Sequence, residues 1–239
     1  DDVRPFLVQA KNKWSWTGNV GGASFLVYDH GGVSRPDREL GRLKTHYLYT
    51  GPNLTDVVYT GVTRDGKIEA RISTQLTRTD DVVRAYYHLN YVFLEEVTYD
   101  RLALFQIASD RYADNGFTKY AYGDATGVLL DETILRHQTT GYPSAESRGI
   151  PLTGTAPWVM LYDSEHDGGD LPEHYANIGF VVRDYHAQLG DQLITTPHIN
   201  INRTYNGGWS QMAFELGVPD DPQNRSIPAG SEINATVEY

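Results

Sequence analysis

The segment RTDDVVRAYYHLNYVF, Arg78 to Phe93, sets Arg84, Tyr86, His88 and Asn90 at alternate positions. A β-strand sends alternate side chains to the same face about 6.7 Å apart, so these four form one row. A solvated strand face ordinarily carries Lys, Glu, Thr and Ser. This one carries anion-binding and proton-moving groups at a spacing that suits a sugar ring better than a small substrate. β-Elimination of a uronate polysaccharide needs the substrate carboxylate neutralised so that the C5 proton becomes acidic. Arg84 can do this by bidentate pairing and Asn90 by amide donation. The reaction also needs a base for that proton and an acid for the leaving oxygen. His88 and Tyr86 can fill these roles in that order or reversed. The plainer alternative is a polar strand face whose groups satisfy one another.

The elements that must position this row are strands. Val83, Ala85, Tyr87, Leu89, Tyr91 and Phe93 alternate with it and form the predicted core face. KIEARISTQLT repeats the pattern, with Ile68, Ala70, Ile72 and Leu76 inward and Lys67, Glu69, Arg71, Ser73 and Gln75 outward. Asp65-Gly66 is a strong hairpin signal and predicts that Val57–Thr63 pairs with the strand from Lys67 onward. The apolar run Leu102 to Ala108 reads as a strand buried on both sides. PWVMLYD, NIGFVVRDYHAQLG, HININRTY, WSQMAFELGV and SEINATVEY supply further strands, and a short helix in AQLGDQL competes with a strand ending at Gly190. Ten or more strands without a convincing helix predict one all-β domain over residues 1–239, an antiparallel two-sheet sandwich of the jelly-roll or supersandwich kind. SEINATVEY ends in mid-strand, so either it closes the sandwich or the chain is one domain cut from a longer protein.

Three other clusters could serve a site. Asp163, Glu165, Asp167 and Asp170 gather around a Gly-Gly turn and suit calcium, a hard cation that seeks oxygen ligands. Asp110 and Tyr112 follow the apolar run, where a sandwich places its loops, and an aromatic ring there could stack on a sugar. His30, Arg35 and Arg38 form a local basic patch that could hold a substrate carboxylate. The plain readings of the first two are a solvated acidic loop and a Tyr-rich turn.

Composition narrows the partners. A formal net charge of −11 repels nucleic acid and anionic membranes, and no apolar run is long enough to span a bilayer as a helix. Cysteine is absent, which excludes disulfides and thiol chemistry. Gly-x-Ser-x-Gly, P-loop and dinucleotide-binding glycine patterns are absent too. The sequons at Asn53, Asn202, Asn224 and Asn234 favour a secreted or cell-surface protein. Seventeen tyrosines, apolar bodies with polar tips, suit wet binding surfaces.

On RAYYHLN and the all-β character of its full length, the chain resembles, in broad pattern, the two-sheet polysaccharide lyases. Their concave sheet carries Arg, Tyr, His and Asn or Gln. A looser likeness, to mutarotase-like supersandwich domains, rests on the long alternating strands. The first resemblance implies a secreted lyase acting on a uronate-containing glycan. A non-catalytic glycan-binding or structural surface module, and a sugar epimerase using His and Glu, are the alternatives.

Overall fold

The computed structural model describes residues 6–9, 13–16, 23–29, 40–79, 82–110, 119–133, 148–162, 177–206 and 209–239. In chain order the strands begin with β1 (Phe6–Gln9), β2 (Lys13–Trp16), β3 (Ala23–Ser24) and β4 (Val27–Asp29). Four long strands follow: β5 (Leu40–Thr50), β6 (Leu54–Thr63), β7 (Ile68–Thr79) and β8 (Val82–Phe93). Next come β9 (Val97–Thr98), β10 (Arg101–Ala103), β11 (Phe105–Asp110), β12 (Lys119–Asp124), β13 (Gly127–Thr133), β14 (Ile150–Pro151) and β15 (Trp158–Tyr162). The last are β16 (Asn177–Leu189), β17 (Gln192–Ile194), β18 (His198–Asn206), β19 (Trp209–Gly217), β20 (Ser226–Ile227) and β21 (Glu232–Glu238). No helix occurs among the described residues, and so none there is long and apolar enough to cross a membrane. The fold class is all-β and antiparallel, as the alternation predicts.

The chain divides into two compact units. The first comprises Asp1–Phe25, Ala103–Phe180 and His198–Pro219; the second comprises Leu26–Leu102, Val181–Pro197 and Asp220–Tyr239. In the first unit β14, β18, β19, β11 and β3 form a sheet in that order, and β12 lies between β13 and β15 in another. The two sheets face each other: the Tyr120 ring of β12 meets Phe214 of β19 edge-on at 5.9 Å. Phe105 packs edge-on against Phe180 at 5.4 Å. Such contacts add to the apolar area that drives the packing. The opposite side of the five-stranded sheet carries a cross-strand row, Asn200–Glu215–Gln106, in which Glu215 is fully buried.

In the second unit the sheet order is β16, β21, β8, β7, β6 and β5, with β17 hairpinned onto β16. Its inner face takes Ile68, Ala70 and Ile72 from β7 and Ala85, Tyr87, Leu89, Tyr91 and Phe93 from β8, all buried. Ile233, Ala235 and Val237 of β21 continue that face. The Tyr91 hydroxyl is fully buried and bonds to the backbone of Leu26. The pairs β9–β20 and β4–β10 bring the buried Val97, Ile227, Tyr28 and Leu102. The hairpin at Asp65-Gly66 forms where predicted: Gly66 has φ +80°, and Asp65 accepts from the Thr63 hydroxyl at 2.6 Å and the Lys67 amide at 3.2 Å.

Three expectations are adjusted. Leu76 is 38% exposed, because it lies toward the end of β7, where Arg78 and Thr79 are exposed as well. The run Leu102 to Ala108 is two strands, β10 and β11, broken at Leu104, whose amide turns to the Leu216 carbonyl at 2.7 Å. AQLGDQL is a hairpin and not a helix, with Gly190 at φ +58° between β16 and β17.

Candidate functional site

The outer face of the second unit's sheet carries the predicted row. Strand β8 lies between β7 and β21, so each member faces one residue on either side. His88 stands between Ser73 and Thr236, and Asn90 between Arg71 and Asn234. On β16, Asp184 opposes Thr236 and His186 opposes Asn234. Directly opposed residues in antiparallel pairs share a face. Two parallel cross-strand rows result, Ser73–His88–Thr236–Asp184 and Arg71–Asn90–Asn234–His186. They line a shallow depression of about 500 Å³.

Hydrogen bonds fix several of these groups. His88 Nδ1 lies 3.0 Å from the Thr236 hydroxyl, which leaves Nε2 as the ring's reactive edge. The Asn90 amide donates to Glu232 at 2.7 Å and to the Asn234 side-chain oxygen at 2.8 Å; the Asn234 amide donates to Glu232 at 3.0 Å. On β16, His186 Nε2 lies 2.9 Å from Asp184. Ser73 and Gln75 both donate to Asp56 of β6, at 3.4 and 3.2 Å.

The cations divide into two kinds. Arg84 lies 3.4 Å from Glu238, and Arg183 donates to the same carboxylate from Nε at 2.7 Å and again from Nη2. Its hydrogen bond to Tyr86 and the charge of Glu238 hold the Arg84 guanidinium above its ordinary range. Arg84 is thus committed to a neighbour, and neither it nor Tyr86 lines the depression. Arg71 does line it, and it pairs with no carboxylate among the described residues.

Of the predicted site residues, the structure brings His88 and Asn90 into one depression and sets Tyr86 and Arg84 along the same strand face. Asp110 is the last residue of β11 in the first unit, paired with Gln211. His30, Arg38 and Tyr112, together with the proposed calcium ligands Asp163, Glu165, Asp167 and Asp170, lie outside the described residues. Among the described residues no group of three or more acidic or histidine side chains could hold a metal ion. Sequence reasoning missed Arg71, Asp184, His186 and Asn234 as neighbours of His88. Their outward alternation is visible in RDYHAQ and INATVE, but only the strand order joins them to β8. The sequon at Asn234 falls inside the depression, where its amide is already bonded, so a glycan attached there would fill the site.

No family model matches the chain, and no curated protein matches it. The face offers neutral and cationic donors, carboxylate and amide acceptors, and one imidazole with a free ring edge. It is open enough for a polymer to lie across it.

Proposed function

We propose that this outer face binds a glycan and that its most concrete activity is cleavage of a uronate-containing polysaccharide by β-elimination at His88. The observation that supports the reading is the depression in which His88, Asn90 and the uncommitted Arg71 converge. Sugar hydroxyls need alternating donors and acceptors, and Ser73, Asn90, Asn234 and Thr236 supply both. Arg71 neutralises the uronate carboxylate, so that negative charge developing at the sugar is stabilised. Asn90, whose two amide hydrogens go to Glu232 and Asn234, does not fill the donor role its type suggests and offers its oxygen to a sugar hydroxyl. His88 Nε2 takes the C5 proton, the C–H electrons form the C4–C5 double bond, and the C4–O bond breaks. The departing oxygen takes a proton from Tyr86, two residues away on the same face, and the cleaved chain carries the unsaturated sugar at its new end. A polymeric substrate of this kind places the protein outside the cell or on its surface.

Incubation with a panel of uronate polysaccharides, followed by ultraviolet absorbance of the unsaturated product, tests this. Absorbance should rise on at least one acidic polymer and on none of its neutral counterparts. Flat traces on every polymer would remove the lyase chemistry.

The second reading, a glycan-binding module without turnover, draws on the Asn90–Glu232–Asn234 bonds and the Arg84–Glu238–Arg183 group. These bonds hold the side chains in one arrangement before any ligand arrives, which lowers the ordering cost of binding without supplying a catalytic group. Glycan retention with no absorbance change selects it.

A further inference from the structure

Strand register extends the Arg71 row beyond the depression. Thr60 opposes Arg71, and Lys44 opposes Thr60, so one uninterrupted cross-strand row reads Lys44–Thr60–Arg71–Asn90–Asn234–His186. Five inter-strand steps of roughly 4.8 Å make it about 24 Å long. Lys44 and Thr60 line a second, larger depression of about 930 Å³ whose wall includes Arg64 and Glu69. Thr60 of this depression and Arg71 of the first stand side by side across β6 and β7. Charge along the row is uneven. At the β5–β7 end Lys44, Arg64 and Arg71 outnumber Glu69 and Asp56, whereas at the β16–β21 end Asp184, Glu232 and Glu238 outnumber Arg183, which pairs with Glu238. On a chain of net charge −11, that cationic end is a place where an anion would be favoured.

Building on the reading of this face as a glycan site, we infer that the bound chain lies across the strands, along this row, with its anionic substituents at the Lys44–Arg71 end. Arg71 and Lys44 then set the preference for an acidic over a neutral glycan. The Arg84 row along β8 is a poorer track for an acidic chain, because its cation already serves Glu238. The other end of the row, with Asp184 beside His186, disfavours carboxylates and accepts neutral sugars.

Calorimetric titration with uronate oligosaccharides of increasing length and with their methyl esters tests the assignment, using the full chain and variants whose melting curves match it. Affinity for the acidic series should grow with each unit until the Lys44–Arg71 end is filled and level off beyond it. R71Q and K44Q should each weaken acidic oligosaccharides about fivefold and together roughly twenty-five-fold, with esters unaffected. The difference between acidic and esterified ligands should shrink as salt is raised. H186A should matter only for the longer esterified oligosaccharides, and R84Q should leave acidic affinity unchanged. Equal binding of acids and esters, or loss with R84Q and none with R71Q, would overturn the cross-strand assignment while glycan binding itself stood. If the unaltered protein binds neither series, the assignment falls together with the glycan reading.

Discussion

His88 carries the chemistry proposed here, and its surroundings make the role separable from stability. Its ring stands on the outer face with one hydrogen bond, Nδ1 to Thr236, at an exposed site. Removing it leaves no core cavity and forfeits one solvent-accessible bond, worth about 1 kcal/mol or less. His88→Ala should therefore shift the melting temperature by no more than roughly 4 °C and abolish product formation. Tyr91→Ala on the inner face of the same strand is the contrasting case. It empties a fully buried site and should cost about 3–5 kcal/mol, comparable to truncating a buried Phe. Melting curves and product absorbance on both variants separate the two roles. Full activity in His88→Ala would end the catalytic assignment, and a large melting shift there would show that the ring supports the fold.

The strands themselves were largely legible, because burial imposes a two-residue period that composition cannot disguise. Ala85, Tyr87, Leu89, Tyr91 and Phe93 are buried as their alternation predicts, and Asp65-Gly66 turns the β6–β7 hairpin. Strand order was not legible. Asn90 and Glu232 are 142 positions apart in the chain, and nothing local tells β8 that β21 will lie beside it. Arg84 illustrates the consequence: its type and spacing suit a substrate carboxylate, yet Glu238 of β21 takes it. The apolar run at Leu102 failed for another reason, since hydrophobicity reports burial but not the break at Leu104. Elements local in sequence also carry a pH dependence. Around the β12–β13–β15 sheet, Asp131 accepts from Tyr162 at 2.6 Å and pairs with Lys119 at 2.9 Å, and both hold its carboxyl below the usual range. Asp124 is lowered likewise by the Thr126 hydroxyl and amide. A carboxyl whose folded pKa is depressed stabilises the fold above its unfolded pKa and loses that contribution as pH falls through the folded value. Protection of the β12 and β13 amides should thus be constant from neutrality to about pH 5 and decline below about pH 4. Asp131→Asn should flatten part of that decline in hydrogen exchange. A profile identical to the parent's would show that these contacts do not support the hairpin.

Across the whole chain, charge and edge chemistry oppose each other. The net charge of −11 on 26.8 kDa repels like copies, and at low ionic strength that repulsion keeps them apart. Yet β5 ends its sheet, and among the described residues no strand pairs with its outer side. It exposes Tyr47, Leu48 and Tyr49 at 68%, 63% and 54%. An uncovered apolar edge offers both backbone hydrogen bonds and side chains to another strand. The register shift between Tyr47 and Tyr49 disturbs the ladder there and weakens the template without removing it. Salt should decide the balance. At about 0.15 M the Debye length is roughly 8 Å, and at 1 M about 3 Å, so repulsion between copies fades while the apolar edge is unaffected. Light scattering should then show concentration-dependent self-association that grows with salt. Leu48→Lys should suppress it, because a charge on the edge must be buried before a second strand can pair. Since Leu48 is mostly exposed, the substitution should leave the melting temperature almost unchanged. Association that persists undiminished in Leu48→Lys would place the contact elsewhere on the surface, and association that falls as salt is raised would mean that opposite charges, not this edge, draw the copies together.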